Sequence, residues 1–270
     1  MGVIFQSSYS LPGGDQPLTH ARIAHAGNWI TGGTITSSST ATGYDDAAAE
    51  NTLTYERWKP SALSATWTNT FAASSSFNYC VIGAHTLGTN GNSLQVLKYD
   101  GATWSNMIPT TAISSDMPIF CIFGAVTGTK AQIKITNGTA PEVGVVKFGT
   151  ALQMPRTFYG GHAPLDLSRQ PVLRTNVSST GEFLGRSVTR AKYATSFAWS
   201  NLTAAWVRSN WRTFQTAVED EPFFVAWRPD ATDGFSEVGL CYATGTPIPS
   251  NMGARDLMSV QLDAVGHSYD

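Results

Sequence analysis

The chain has 270 residues, enough for one large β domain or two ordinary ones with a well-buried core. Charged residues make up 13% and apolar residues 42%, so Ser, Thr, Asn and Gly must cover much of the surface. The net charge of −2, with Arg169, Arg174, Arg186, Arg190, Arg208 and Arg212 spread along the C-terminal half, excludes an electrostatic nucleic-acid binder with a basic stripe.

No apolar run approaches the roughly 18 residues of a membrane span. The start, MGVIFQSSYSLPGGD, lacks the basic and apolar regions of a signal peptide, so folding in a reducing cell is expected. Cys80, Cys121 and Cys241 are far apart and odd in number, giving neither a disulfide framework nor a zinc spacing. Cys80 and Cys121 lie in apolar runs and read as small buried hydrophobes.

Residues 1–20, broken by Pro12, Gly13, Gly14 and Pro17, cannot form a helix, yet Val3, Ile4, Phe5 and Leu11 are too apolar for water. They are expected to serve as an assembly arm or as a strand added to another element. From Ala21 to Phe148 short runs recur: TGGTITSSS, TLTYERW, SATWTNTF, NYCVIGAH, SLQVLKY, PIFCIFG, AQIKITNG and EVGVVKFG. Turn signals such as Asn90-Gly91, Asp100-Gly101 and Asn137-Gly138 separate them. This pattern predicts an antiparallel sandwich or jelly roll over 21–148.

The stretch LQMPRTFYGGHAPLDLSRQP reads as a connection into a second, smaller β-rich unit over 149–270. There PVLRTNVSS and SVTRAKYATSFAW form two strands around Thr180-Gly181. Ser200 is the expected N-cap of one helix near 200–218, with Leu202, Ala205, Trp206, Ser209, Thr213 and Ala217 on its apolar face. PFFVAWRP, FSEVGLCYATG and DLMSVQLDAVGH complete the unit as strands.

Nothing in the chain has the spacing of catalytic machinery. No G-x-S-x-G elbow accompanies a serine, the five histidines are scattered without H-x-x-x-H, and no cofactor motif is present. Asp45-Asp46 could contribute to a Ca²⁺ site, but the alternative is a solvated turn. Asn137, Asn176 and Asn201 fit the N-glycosylation pattern, which carries no meaning without secretion. The expectation is a non-enzyme without catalytic residues, metal or cofactor.

Aromatic residues beside amides and carboxylates are the better lead. Trp29, Trp58, Trp67 and Trp104 lie near turns or strand ends, where a ring face can stack on a sugar while polar groups bind its hydroxyls. The competing reading for each is core packing. Loops carry such contacts because sheets are committed to packing. Thr40–Asp46, Thr86–Asn92 and Tyr99–Ser105 therefore nominate Tyr44, Asp45, Asn90, Asn92 and Trp104 as glycan contacts. His85 is expected to be a hydrogen-bonding strand end instead.

Ile35-Thr-Ser-Ser-Ser39, Ala47 to Asn51, Thr54 and Trp58, then YCVIGAHTLG, LQVL and Asp100-Gly101-x-x-Trp104, make 21–148 resemble the galactose-binding-like, discoidin-type jelly rolls. The His85-Thr-Leu-Gly version, with Leu184-Gly-Arg186, Phe223-Phe224 and Arg255-Asp-Leu-Met-Ser259, looks like tailed-bacteriophage tail-tip or distal-tail proteins. The resemblance implies a structural virion protein, assembled in the host cytoplasm as a ring of copies with other tail proteins, with host surface glycan as a candidate partner. The alternatives are a carbohydrate-binding module or accessory domain of a glycan-active protein, and a head-decoration or neck protein.

Overall fold

The computed structural model describes residues 2–158, 160, 162–231, 238–253 and 255–267. In chain order its strands are β1 (Val3–Phe5), β2 (Arg22–Ala24), β3 (Thr34–Ser37), β4 (Ala65–His85), β5 (Ser93–Tyr99), β6 (Trp104–Ala112), β7 (Ile119–Thr136) and β8 (Val143–Gly149). There follow β9 (Leu152–Gln153), β10 (Arg169–Val177), β11 (Phe183–Thr203), β12 (Phe223–Ala226), β13 (Val238–Ala243), β14 (Ser250–Asn251) and β15 (Leu257–Gly266). The fold is an all-β jelly-roll sandwich joined to a second β-rich region. Among the described residues, no helix is long and apolar enough to cross a membrane.

The first sheet runs β3-β4-β7-β5-β6, with β1 added to β7 and β8 to β4. SATWTNTF and NYCVIGAH, separate in the sequence reading, are one strand, β4, and PIFCIFG and AQIKITNG are one strand, β7. The small residues Ala72, Ala73 and Ser74 in β4, and Gly124 and Gly128 in β7, let both strands bend without breaking. Their register jumps from Thr70–Lys130 to Ser75–Gly128 at the bend. The N-terminal half of β4 pairs with β3 and the C-terminal half with β8, so each long strand serves both layers. Between the layers lie Trp67, Phe71, Phe77, Leu94, Ile108, Ile133 and Phe148. Cys80 and Cys121 face each other in register there as buried free thiols. Among the described residues, TLTYERW forms no strand, and only its Trp58 makes a bridge, to Val143.

The second sheet runs β10-β11-β15-β13-β12-β2-β9, with β14 on β15. Alternation divides its residues between two cores. Phe223 and Val225 face the helical layer, whereas Phe224 and Ala226 face the jelly roll, where they meet Tyr79, Val81, Phe120, Ile122 and Val145. The two regions therefore share a core. Arg22–Ala24, inside the stretch expected to be jelly roll, pairs with β12 and β9 of the second sheet.

The start of the leader is covered by its own chain, whereas Leu11 stays exposed. Val3–Phe5 pairs in parallel with Phe120–Ile122, and Val3, Phe5 and Tyr9 pack on the shared core. Behind it, buried Arg22 donates to the carbonyls of Gln16 and His20, fixing the turn that brings the chain into the second sheet.

The helix differs from the sequence expectation in its start and its face. β11 continues through Ser200, and Thr203 is the N-cap, its hydroxyl accepting from Trp206 N–H. It comprises α1 (Ala204–Trp206), a π-helical segment (Val207–Trp211) and α2 (Arg212–Ala217). Ala204, Val207, Trp211, Phe214 and Val218 are buried, while Ala205, Ser209 and Thr213 face out. The wider π turn breaks the 3.6-residue period on which the expected face depended.

β10 and β11 extend beyond the sheet as a hairpin. β15 ends opposite Tyr193, so among the described residues 169–192 pair only with each other. On one face lie Leu173, Val177, Phe183 and Val188, 42–65% exposed, with Arg186 opposite Thr175 among them, and on the other Val172, Arg174, Arg190 and Lys192. Cross-strand pairing thus brings Arg174 and Arg190, scattered in the sequence, to one face, while Arg208 and Arg212 lie in the helical segment.

Candidate functional site

A cleft of about 570 Å³ opens at one end of the jelly roll, lined by Gly43, Tyr44, Asp45, Ala48, Tyr55, Glu56, Arg57 and Glu142. Its construction begins at Trp58. This residue is fully buried, and its backbone exchanges hydrogen bonds of 2.8 and 2.9 Å with Val143. In extended chain, residues two apart share a side, so burying Trp58 turns Arg57 and Lys59 together toward Glu142. Arg57 Nη1 reaches Glu142 Oε2 at 3.2 Å, and Lys59 Nζ reaches Oε1 at 3.3 Å. Tyr44 Oη donates to the same Oε1 at 2.8 Å.

Tyr44, Lys59 and Arg57 together hold the Glu142 carboxyl below the usual range, outweighing its partial burial. Glu142 is therefore an acceptor near neutral pH, not a proton donor. Tyr55, 76% exposed, presents a ring at the rim. An aromatic face beside a guanidinium, an ammonium and carboxylates can stack on a sugar ring and bind its hydroxyls.

Two of the three expected loops meet here. Thr86 N–H donates to Glu142 O, and Glu142 N–H donates to Thr86 Oγ1 at 2.9 Å. The third loop does not: β5 pairs Ser93 with Thr136 at one end and Tyr99 with Lys130 at the other. Its seven residues separate Thr86–Asn92 from Tyr99–Ser105 by roughly 20 Å. Trp104, 40% exposed, therefore sits at the opposite end of the sandwich, its ring 5.1 Å from that of Tyr99.

The other nominated residues have local duties. Asp45 caps the 3₁₀ turn Asp46–Ala49 by accepting from Ala47 N–H at 3.0 Å, while lining the cleft. Asp46 accepts from Ser37 Oγ at 2.9 Å. Asn90 Nδ2 donates to Thr86, and its Oδ1 accepts from Thr139 Oγ1 at 2.6 Å. Asn92 is 1% exposed and donates to the carbonyls of Asn137 and Thr139, so it braces the loop and cannot touch a ligand. Trp58 and Trp67 are core residues whose indole N–H groups donate to Ser39 O and Asp46 O. His85 ends β4, donating from Nε2 to Met117 O at 3.0 Å while Nδ1 accepts from Leu87 N–H. Desolvation lowers its pKa to about 4.

Sequence reading missed Tyr55, Arg57, Glu56, Glu142 and Asp116. Asp116 fixes the Thr86–Asn92 loop by accepting from Gly88 N–H, Thr89 N–H and Thr89 Oγ1. The available signal was Arg57-Trp58-Lys59, two cations flanking a large apolar residue. Their carboxylate partner lies 85 residues away. Among the described residues, no three His, Cys, Asp or Glu side chains are grouped as metal ligands.

No family model matches the chain, and no curated protein matches it. Among solved structures, a family 32 carbohydrate-binding module from C. perfringens NanJ in complex with galactose is similar at 9% identity and TM-score 0.40, covering 45% of this chain and 97% of that one. A pectin-binding carbohydrate-binding module is similar at 14% identity and TM-score 0.38, covering 45% and 91%. Chitosan-binding module 1 from a Paenibacillus sp. IK-5 chitosanase/glucanase is similar at 14% identity and TM-score 0.39, covering 45% and 97%.

Proposed function

We propose that this chain is a non-catalytic glycan-binding protein whose jelly roll takes a sugar in the Tyr44–Glu142 cleft. One observation carries the reading: exposed Tyr55 lines the same cleft in which Arg57, Lys59 and Tyr44 converge on Glu142. Tyr55 supplies the stacking face, and Arg57, Asp45 and Glu56 supply hydroxyl partners. Glu142 lacks the raised pKa that a glycosidase acid needs, which favours binding over hydrolysis. A glycan array probed with the full chain tests this. Binding should be lost in Tyr55→Ala and Arg57→Ala and kept in Trp104→Ala; a blank array for the wild-type chain would overturn the reading.

A second reading has its own observation. The exposed β10–β11 hairpin supports a subunit of an assembly, in which a virion protein of a tailed bacteriophage presents the jelly roll outward. Immunogold labelling of purified phage particles tests this reading, and particles without label would count against it.

A further inference from the structure

We propose that the β10–β11 hairpin docks head-to-tail on a second copy of this chain, against the acidic turn Glu219-Asp220-Glu221 and neighbouring Leu53. The proposal deepens the assembly reading and rests on it. A two-stranded hairpin alone is marginal in water, and this one exposes large apolar side chains beside a β10 edge that no described strand covers. Leu173, Val177, Phe183 and Val188 form one face, with Leu184, 66% exposed, beside them. Such a stripe calls for cover.

Charge selects the occupant. Within 169–192, Arg169, Arg174, Arg186, Arg190 and Lys192 oppose only Glu182, giving +4; since the whole chain is −2, the remainder carries −6. The basic arm thus belongs to a chain whose other surface is acidic. Glu219 and Asp220 are exposed after the helix, and Thr52 Oγ1 donates to Glu221 Oε2 at 2.6 Å, bringing 45%-exposed Leu53 beside them. That patch offers an apolar side chain rimmed by carboxylates, the complement of the hairpin face on which Arg186 stands among Leu173, Val177, Phe183 and Val188.

Position makes the contact intermolecular. β10 is the first strand of the second sheet, while β12, which follows the acidic turn, is the fifth. At about 4.8 Å per strand, they lie roughly 19 Å apart across the sheet. The hairpin runs out past Tyr193 at the end of β15, and both it and Glu219-Asp220 stay exposed within one chain, so a second copy receives it. A contact between different patches repeats from copy to copy, closing into a ring or continuing as a chain.

Sedimentation velocity on the full chain across a concentration series, at low and high salt, tests the contact. The wild type should self-associate at low salt and dissociate at high salt. R186E and E219R/D220R should each weaken association roughly tenfold or more, while retaining the wild-type circular dichroism spectrum and melting temperature. The chain carrying all three reversals should associate again. A wild type that stays monomeric at every concentration overturns both the docking and self-assembly. Association that ignores the reversals overturns the docking and leaves the assembly reading standing.

Discussion

Tyr79 Oη donates to Asn28 Oδ1 at 2.7 Å, clasping the jelly roll to the segment that follows β2 in the second sheet. Tyr79 is fully buried, and burial raises its pKa well above the ordinary value. Asn28 Oδ1 also accepts from His25 N–H at 3.0 Å, and Asn28 Nδ2 donates to Ile23 O at 3.1 Å. Nearby, Gly149 lies against the Asn28 carbonyl, where a Cβ would stand 2.0 Å from the oxygen. Tyr79→Phe should cost about 1–2 kcal/mol. Because the core is shared, calorimetry should show one transition moved to lower temperature; two separate transitions would contradict a shared core.

Asn92 and Trp104 separate bracing from recognition. Asn92→Ala deletes buried bonds to Asn137 O and Thr139 O, and should cost about 1–3 kcal/mol. Trp104→Ala removes a partly exposed ring far from the cleft and should leave any glycan affinity unchanged. Denaturant titration and the array together check both, and loss of binding in folded Trp104→Ala would move the site to the other end of the sandwich.

Acid should destabilise the fold between about pH 6.5 and about pH 4. Desolvation lowers His25 and His85 to about 4 in the folded state, against about 6.5 when unfolded. In that window the unfolded chain takes up protons that the native chain refuses, so stability falls as pH falls and these two groups add no further loss below it. Each contributes on the order of 3 kcal/mol across the full window. Burial shifts His20, His162 and His267 the same way. Urea midpoints measured along this range should decline, and His85→Gln should remove that histidine's share of the slope.

The three thiols should be silent in the native protein. Cys80, Cys121 and Cys241 are buried, and desolvation raises all three pKa values, disfavouring the reactive thiolate. A chromogenic disulfide reagent should titrate none of them natively and all three in denaturant. Fast native reaction of Cys80 would contradict the buried register with Cys121.

Glu142→Gln keeps the shape of the cleft floor and removes its charge. The ion pairs with Arg57 and Lys59 are partly exposed, so stability should fall by only about 0–1 kcal/mol. The Glu142 pKa is depressed, so its contribution is present at neutral pH and is lost as pH falls through the folded value. If the cleft takes sugar, affinity should drop far more than stability. Isothermal titration with an array-selected glycan measures the difference.

Local patterns disclosed most strands, because alternation and turn residues are written in neighbouring positions. The Asn137-Gly138 turn is an example, both residues having positive φ. What escaped was set at a distance. Asn92 looks like an exposed loop amide until β7 brings the Asn137 carbonyl over it. Arg57 finds Glu142 only through the Trp58–Val143 bridge. The helix face was misjudged because the π segment shifts Trp211 and Phe214 inward, a change that propensity does not encode.

The pairing of β2 between β12 and β9 also bears on how the chain is made. Ile23 sits opposite both Leu152 and Val225, so its second neighbour leaves the ribosome some 200 residues later. At ordinary synthesis rates that wait is roughly 10 to 40 seconds. Throughout it, Ala21–Ala24 lacks one flank of its sheet, and β1 likewise waits for β7. β1 and β2 thus stay open on one side until β7 and β12 have been made, and the newborn chain must stay unaggregated for that time.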